Sequence, residues 1–195
     1  MIPHFVPFDR NSEYPYGKLN KEARSFSAIE ENHPFAQKIG AMIANFALVE
    51  REMPFVLARL SGMSTDHAFT TLGVFRAFSN RIDLFSELTK VVKADTPEFE
   101  IARHFKGQFT LANKIRNKYA HASYAGRDDP ILLTPFSGDF VRPVASIKVT
   151  LEDMEAELDK IRIVACECWA FGREKRLPEG LHVRLSRKYP SANWG

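Results

Sequence analysis

The sequence predicts an all-α fold, an antiparallel bundle of four to five helices with a small β-hairpin inserted between the third and fourth long helices. Several long stretches repeat their apolar residues every three to four positions, the spacing of one face of an α-helix. Residues that cap helices stand at the starts of these stretches, and two short β-branched segments precede the last one. With 195 residues, of which 45% are hydrophobic, the chain is long enough for one domain with a substantial core.

The chain divides into three parts by composition. Residues 1–32 are rich in proline and aromatic residues and are expected to form an irregular N-terminal arm. Residues 33–176 contain the helical patterns and the hairpin, the latter at about 131–149. Residues 177–195 form a basic C-terminal tail, which we expect to be loosely attached.

The first two helices are predicted from apolar periodicity and from their end signals. The first covers about 34–60, and Gly62 ends it because glycine readily adopts the left-handed conformation that closes a helix. The second begins near Ser64 or Thr65, either of which suits an N-cap, and covers about 64–94.

The third helix and the hairpin follow. Thr96 is a suitable N-cap, and the proline after it is favoured at the first helical position, so the helix is predicted over about 97–123. Two short apolar segments, 131–136 and 144–149, flank a Ser-Gly-Asp turn sequence. This arrangement predicts a β-hairpin.

The fourth long helix is predicted to begin after Thr150 and to continue to about residue 173. Asp153 stands three residues after Thr150, the spacing of a capping box, in which each side chain binds the backbone N–H of the other residue. This signal fixes the start of the helix more firmly than periodicity alone.

Composition excludes several classes of protein. No apolar run reaches the length of about 18 residues that predicts a membrane-spanning helix, and the first residues lack the pattern of a secretory signal, so we expect a cytoplasmic protein without membrane association. The histidines outside the region described next lack metal-ligand spacing, and no Gly-rich phosphate loop occurs. We therefore expect no metal and no cofactor.

One region has an unusual charge distribution. From residue 101 to 127 the chain contains no Asp or Glu, whereas most long helices mix charges of both signs. The same region carries six basic residues: Arg103, Lys106, Lys114, Arg116, Lys118 and Arg127. His121 lies five positions after Arg116, so the region combines an imidazole with a guanidinium, a pair that suits a phosphodiester.

Arg116 is predicted to lie on the apolar side of its helix. At 100° per residue, five apolar residues fall within about 40° of one direction: Ile101, Phe105, Phe109, Ala112 and Tyr119. Arg116 falls about 20° from the centre of this stripe, where a charge needs a partner or a ligand. His121 falls about 140° from Arg116, so an ideal helix does not stack the two side chains; the length of arginine and an end of the helix at His121 would bring them together.

The segment Arg116-Asn117-Lys118-Tyr119-Ala120-His121 resembles the hallmark of HEPN domains (higher eukaryotes and prokaryotes nucleotide-binding). That hallmark is an arginine, usually followed by a polar residue, with a histidine four to six positions later near the end of a bundle helix. A weaker similarity extends to the first helix, in the Ala44-Asn45-Phe46-Ala47-Leu48-Val49-Glu50 segment.

The resemblance implies a homodimer in which two such motifs share one cleft. It also implies a metal-independent endoribonuclease of a toxin–antitoxin, phage-defence or stress system, with RNA as substrate and an antitoxin or other regulatory protein as partner. On this hypothesis His121 transfers protons, Arg116 holds the scissile phosphate and Asn117 orients them. Four further residues would contact the nucleic acid: Lys114, Lys118, Tyr124 and Arg127.

Two alternatives stay open on the sequence. The first is a non-catalytic HEPN-like dimer that uses the same cleft to bind a nucleotide or a protein. The second is a plain helical scaffold, in which Arg116 only bridges to Glu50 or Asp83 and His121 only caps helix carbonyls.

Overall fold

The computed structural model describes residues 33–90, 92, 94–126, 129–135 and 145–192. The predicted N-terminal arm, Arg127 and the turn of the predicted hairpin lie outside these ranges. Within them, the chain forms helices α1 Pro34–Ser61, α2 Thr65–Gly73, α3 Phe78–Thr89, α4 Pro97–Ala120, α5 Leu151–Gly172 and α6 Glu179–Lys188. The strands are β1 Ala122–Ala125, β2 Ile131–Pro135 and β3 Ile147–Val149.

Helices α2, α4 and α5 begin at the capping residues that the sequence indicates. The side chains of Ser64 and Thr96 each accept a hydrogen bond from the backbone N–H three residues later. Thr150 and Asp153 form both bonds of a capping box at the start of α5. These bonds satisfy amide groups that have no partner inside the helix.

The core lies between α1, α3, α4 and α5 and is rich in phenylalanine. Its rings meet mainly edge to face, the arrangement that aromatic quadrupoles favour. The rings that form these contacts are Phe46, Phe78, Phe85, Phe105, Phe109 and Phe171. α1 packs most extensively against α5.

α4 and α5 run antiparallel. Lys118, near the end of α4, contacts Glu157 in the first half of α5, and His104, early in α4, contacts Glu167 further along α5. A small sheet of order β1-β2-β3 lies between these two helices in the chain, and both strand pairs are antiparallel.

The mainly helical class is confirmed, and the arrangement as a four- to five-helix antiparallel bundle stays a prediction. The second predicted helix is wrong as a continuous element because it is two helices, α2 and α3, with a break over 74–77. Gly73 is the last residue of α2, and glycine has a low propensity for the interior of a helix.

Two further expectations are corrected. The third predicted helix ends at Ala120 rather than near 123, since the following residues pair with β2 as strand β1. The tail is not loosely attached over α6, where Leu181 and Leu185 are each 2% exposed and the helix contacts α4.

In the part of the chain that the structure describes, no helix has both the length and the apolar composition needed to cross a membrane. The same residues contain no group of three or more His, Cys, Asp or Glu side chains arranged to hold a metal ion.

Candidate active site

Arg116 lies in the last turns of α4 with its guanidinium against an aromatic ring of the core. Its carbon Cζ lies 5.8 Å from the centre of the ring of Phe46, which is 4% exposed. A cation over the face of an aromatic ring is attracted by the ring's quadrupole. Arg116 is therefore half-buried on the apolar side of α4, where the periodicity of the sequence places it.

No carboxylate neutralises Arg116 among the described residues. Glu50, one of the two partners considered for a plain scaffold, lies 3.7 Å from Arg81 instead. Neither Glu50 nor Asp83 lies within 4 Å of the Arg116 guanidinium. The two ion pairs on which the scaffold alternative depends are thus not formed.

His121 meets Arg116 because the helix ends between them. Ala120 is the last helical residue, and His121 adopts φ −118° and ψ 19°, outside the helical region. This change of direction brings His121 Nε2 to 2.9 Å from Arg116 Nη1, although a continued helix would separate the side chains by about 140°. The two side chains therefore meet where the helix ends.

The direction of this hydrogen bond defines the state of the imidazole. A guanidinium has only N–H donors, so Nε2 of His121 must accept, and the ring proton must lie on Nδ1. The imidazole in this arrangement is neutral, and Nε2 carries the lone pair that a general base uses.

Asn117 completes the cluster. Its side-chain oxygen Oδ1 accepts from the same Arg116 Nη1 at 2.9 Å, so both hydrogens of Nη1 are engaged by Asn117 and His121. Among the described residues, the other guanidinium nitrogens have no hydrogen-bond partner. They can therefore receive a phosphate oxygen.

The four candidate nucleic-acid-binding residues have different surroundings. Lys114 is exposed. The ammonium of Lys118 lies 3.1 Å from both carboxylate oxygens of Glu157, which compensates its charge. Arg127 lies outside the described residues.

Tyr124 lies on β1 and is half-buried. Its hydroxyl donates to the backbone carbonyl of Tyr119, which ties the strand to the end of α4 beside the site. Burial raises the pKa of the Tyr124 hydroxyl above its ordinary value, so this group stays protonated as a donor.

Two residues of the site were missed as participants by sequence reasoning. Phe46 supplies the ring beneath Arg116, and Glu157 binds Lys118. Phe46 falls in the segment of the first helix that resembles the HEPN pattern, which is the signal that could have identified it. No local signal marks Glu157, because its partner is 39 residues away in the chain.

Comparisons of this chain with models of protein families, with curated proteins and with solved structures find no significant match. The cluster of Arg116, Asn117 and His121 is therefore the basis on which a function can be argued.

Proposed function

We propose that this chain is a HEPN-like helical bundle and acts in the cytoplasm as a metal-independent endoribonuclease of a toxin, defence or stress system. The observation that carries the proposal is the contact between Arg116 and His121 at the surface, without a neutralising carboxylate among the described residues. A homodimer would bring two such pairs to one cleft, and an antitoxin or other regulatory protein is the expected partner.

The chemistry of the pair fits cleavage of RNA through its 2′-hydroxyl. Nε2 of His121 would take the proton of the 2′-hydroxyl while the 2′-oxygen attacks phosphorus. The bond between phosphorus and the 5′-oxygen then breaks, and that oxygen takes a proton from the imidazolium of His121 of the partner subunit. The products are a 2′,3′-cyclic phosphate and a 5′-hydroxyl, so all protons are accounted for without a metal.

Arg116 would stabilise the charge that develops on the phosphate oxygens. The planar guanidinium matches two oxygens of a phosphate, and its contact with the buried Phe46 ring limits its movement. Binding of the phosphate draws the guanidinium away from Nε2 of His121, which frees the lone pair for proton transfer. Asn117 would hold Nη1 during this exchange.

A cleavage assay on purified protein in the presence of a chelator tests this proposal. The parent is expected to cleave single-stranded RNA, and Arg116→Ala and His121→Ala are each expected to lose activity by about 10²-fold or more. His67→Ala is the matched control, since His67 is also exposed but lies on α2. Equal cleavage by the parent and by His121→Ala would refute the catalytic role of His121.

A non-catalytic HEPN-like binding module is the second candidate. One observation favours it: a single chain brings one imidazole to the site, whereas cleavage needs both a base and an acid. In that case the folded parent binds RNA or a nucleotide, binding depends on Arg116, and no product forms.

A further inference from the structure

We propose that a single strand of RNA lies along one exposed side of α4, from His121 back to a groove between α4 and α6. We call this side the α4 face and define it by Arg103, Lys106, Thr110, Lys114, Asn117 and His121. The inference rests on the proposed function, because it describes how a substrate strand reaches the Arg116–His121 pair.

The α4 face is a continuous surface. All six of its residues are exposed, and the five that belong to the helix fall within an arc of about 80° at 100° per residue. From Arg103 to Asn117 the helical part of the face is about 21 Å long at 1.5 Å per residue, and His121 follows where the helix ends. This is enough for several nucleotides, in the range of about 4 to 16 that single-strand-binding folds contact.

All the charged side chains of the α4 face are positive. No acidic residue lies on it, and Lys106 and Lys114 have no carboxylate partner among the described residues. Lys118, only one residue beyond Asn117, is instead bound by Glu157. The cations that are free to contact phosphates therefore lead away from His121 towards the beginning of α4, and not towards α5.

The antiparallel neighbour of α4, helix α5, does not have charges of one sign. The exposed side of α5 carries Glu152, Asp159 and Arg162, and Arg162 is bound to Asp159 at 2.7 Å. Mixed charges of this kind are what a solvated helix normally shows. The uniformly positive α4 face therefore differs from the exposed side of α5.

A groove lies at the far end of the α4 face. It has a volume of about 390 Å³ and is lined by Arg103, Gly107 and Leu111 of α4 and by Arg184 of α6, among others. A methyl group added at Gly107 would meet nothing within 4 Å, so the floor is open there. Leu111 is 38% exposed and offers an apolar contact for a base.

The acids at this end are already bound by neighbouring side chains. The carboxylate of Glu100 contacts both Arg103 and Lys188, and one oxygen of Glu167 contacts His104 and Gln108. Arg184 is exposed and has no carboxylate partner in the described part of the chain. The groove therefore adds an uncompensated cation to the line formed by Lys106 and Lys114.

A single RNA strand fits this surface better than a duplex. The chemistry proposed at His121 needs a backbone that can rotate until the 2′-oxygen lies in line with the leaving oxygen, which a paired A-form strand does not allow. A single row of cationic side chains along one helix suits the phosphates of one strand.

The test measures binding of a fluorescent single-stranded oligonucleotide with 2′-O-methyl riboses, which cannot be cleaved through the 2′-oxygen. Lys106→Gln/Lys114→Gln is expected to bind about tenfold more weakly than the parent. The slope of log affinity against log salt should decrease by about 1.4, the value for two lost phosphate contacts on a single strand. Arg51→Gln/Arg162→Gln is the matched control, because it removes two charges from the groove between α1 and α5.

Cleavage of the all-ribose oligonucleotide by the same proteins separates the two proposals. If the parent cleaves RNA while Lys106→Gln/Lys114→Gln binds and cleaves as well as the parent, the path along α4 is wrong and the proposed function stands. If the lysine variant binds more weakly but the parent does not cleave, the path stands and catalysis fails. Tighter binding of poly-glutamate than of the oligonucleotide would overturn the path in favour of an acidic protein partner.

Discussion

At the scale of single residues, Arg116 and His121 meet at the boundary between the core and the solvent. The ring of Phe46 holds the guanidinium from the core side, while His121 is exposed to solvent. A cation that is half-buried and has no carboxylate partner among the described residues keeps its charge available to a ligand. The imidazole beside it accepts a hydrogen bond from this cation through Nε2, the atom that would take a proton once the guanidinium moves to a phosphate.

Because the guanidinium of Arg116 has several N–H donors in one plane, we expect that lysine cannot replace it. Arg116→Lys keeps the positive charge, but a single ammonium cannot contact Asn117 and also bind two phosphate oxygens in the geometry of a guanidinium. We expect cleavage to fall by about tenfold or more, with a smaller loss of RNA affinity. Cleavage by Arg162→Lys, an exposed arginine on α5, should be unchanged; full activity of Arg116→Lys would show that charge alone suffices.

The proximity of Arg116 and His121 was predictable from the sequence only in part. Periodicity placed Arg116 on the apolar side of its helix, and the structure confirms this. The meeting with His121 required the helix to end at Ala120, a boundary that sequence patterns place only to within a few residues. The bond between Lys118 and Glu157 was not predictable, because it depends on how α5 packs against α4.

At the scale of secondary-structure elements, the packing of α1 against α5 depends on Gly172. A methyl group at this position would lie 2.8 Å from Cβ of Phe55 and 3.2 Å from its backbone carbon. Glycine therefore permits a separation between the two helices that no other residue allows.

Gly172→Ala should accordingly destabilise the protein. We expect a loss of about 1–3 kcal/mol in the free energy of unfolding, since α5 must shift or Phe55 must move. Gly40→Ala is the control: Gly40 lies within α1 in open space, and alanine there should stabilise by about 0.5–1 kcal/mol. Denaturant unfolding measures both values, and equal stability of Gly172→Ala and the parent would contradict the close approach.

The elements that the sequence did not predict are short or depend on distant partners. β1 is only four residues long, and its alanines and serine have little preference for strands; its pairing with β2 creates it. α6 has only two buried apolar residues at helical spacing, Leu181 and Leu185, and in a basic tail such a short pattern does not predict a helix. The long helices, by contrast, carry both periodicity and capping residues.

At the scale of the whole molecule, α6 connects the C-terminal region to the beginning of α4. Leu181 and Leu185 are buried against the core, and Lys188 lies 2.8 Å from the carboxylate of Glu100. The hydrogen bond from Lys188 lowers the pKa of Glu100 below its ordinary value of 4.5, with a contribution from Arg103.

This shift predicts how stability depends on pH. Because the pKa of Glu100 is lower in the folded state than in the unfolded state, its ion pairs stabilise the fold above about pH 4.5. The stabilisation disappears as the pH falls through the folded-state pKa. Glu100→Gln should therefore melt at a lower temperature than the parent at pH 7, and this difference should close on acidification.

Thermal melting from pH 7 to pH 3 measures the difference. Glu87→Gln is the control, since Glu87 and its partner Lys90 are both exposed to solvent, where an ion pair contributes little. A difference between Glu100→Gln and the parent that stayed constant across this range would show that the ion pairs do not anchor α6.

The proposed function depends on proton transfer by His121, and the chemical ends of the cleavage products test this mechanism most directly. Purified parent protein should cleave single-stranded RNA in excess chelator and leave 2′,3′-cyclic phosphate and 5′-hydroxyl ends, while folded His121→Ala leaves the RNA intact. Products with 3′-hydroxyl and 5′-phosphate ends, a strict need for a metal ion, or full activity of His121→Ala would contradict the account.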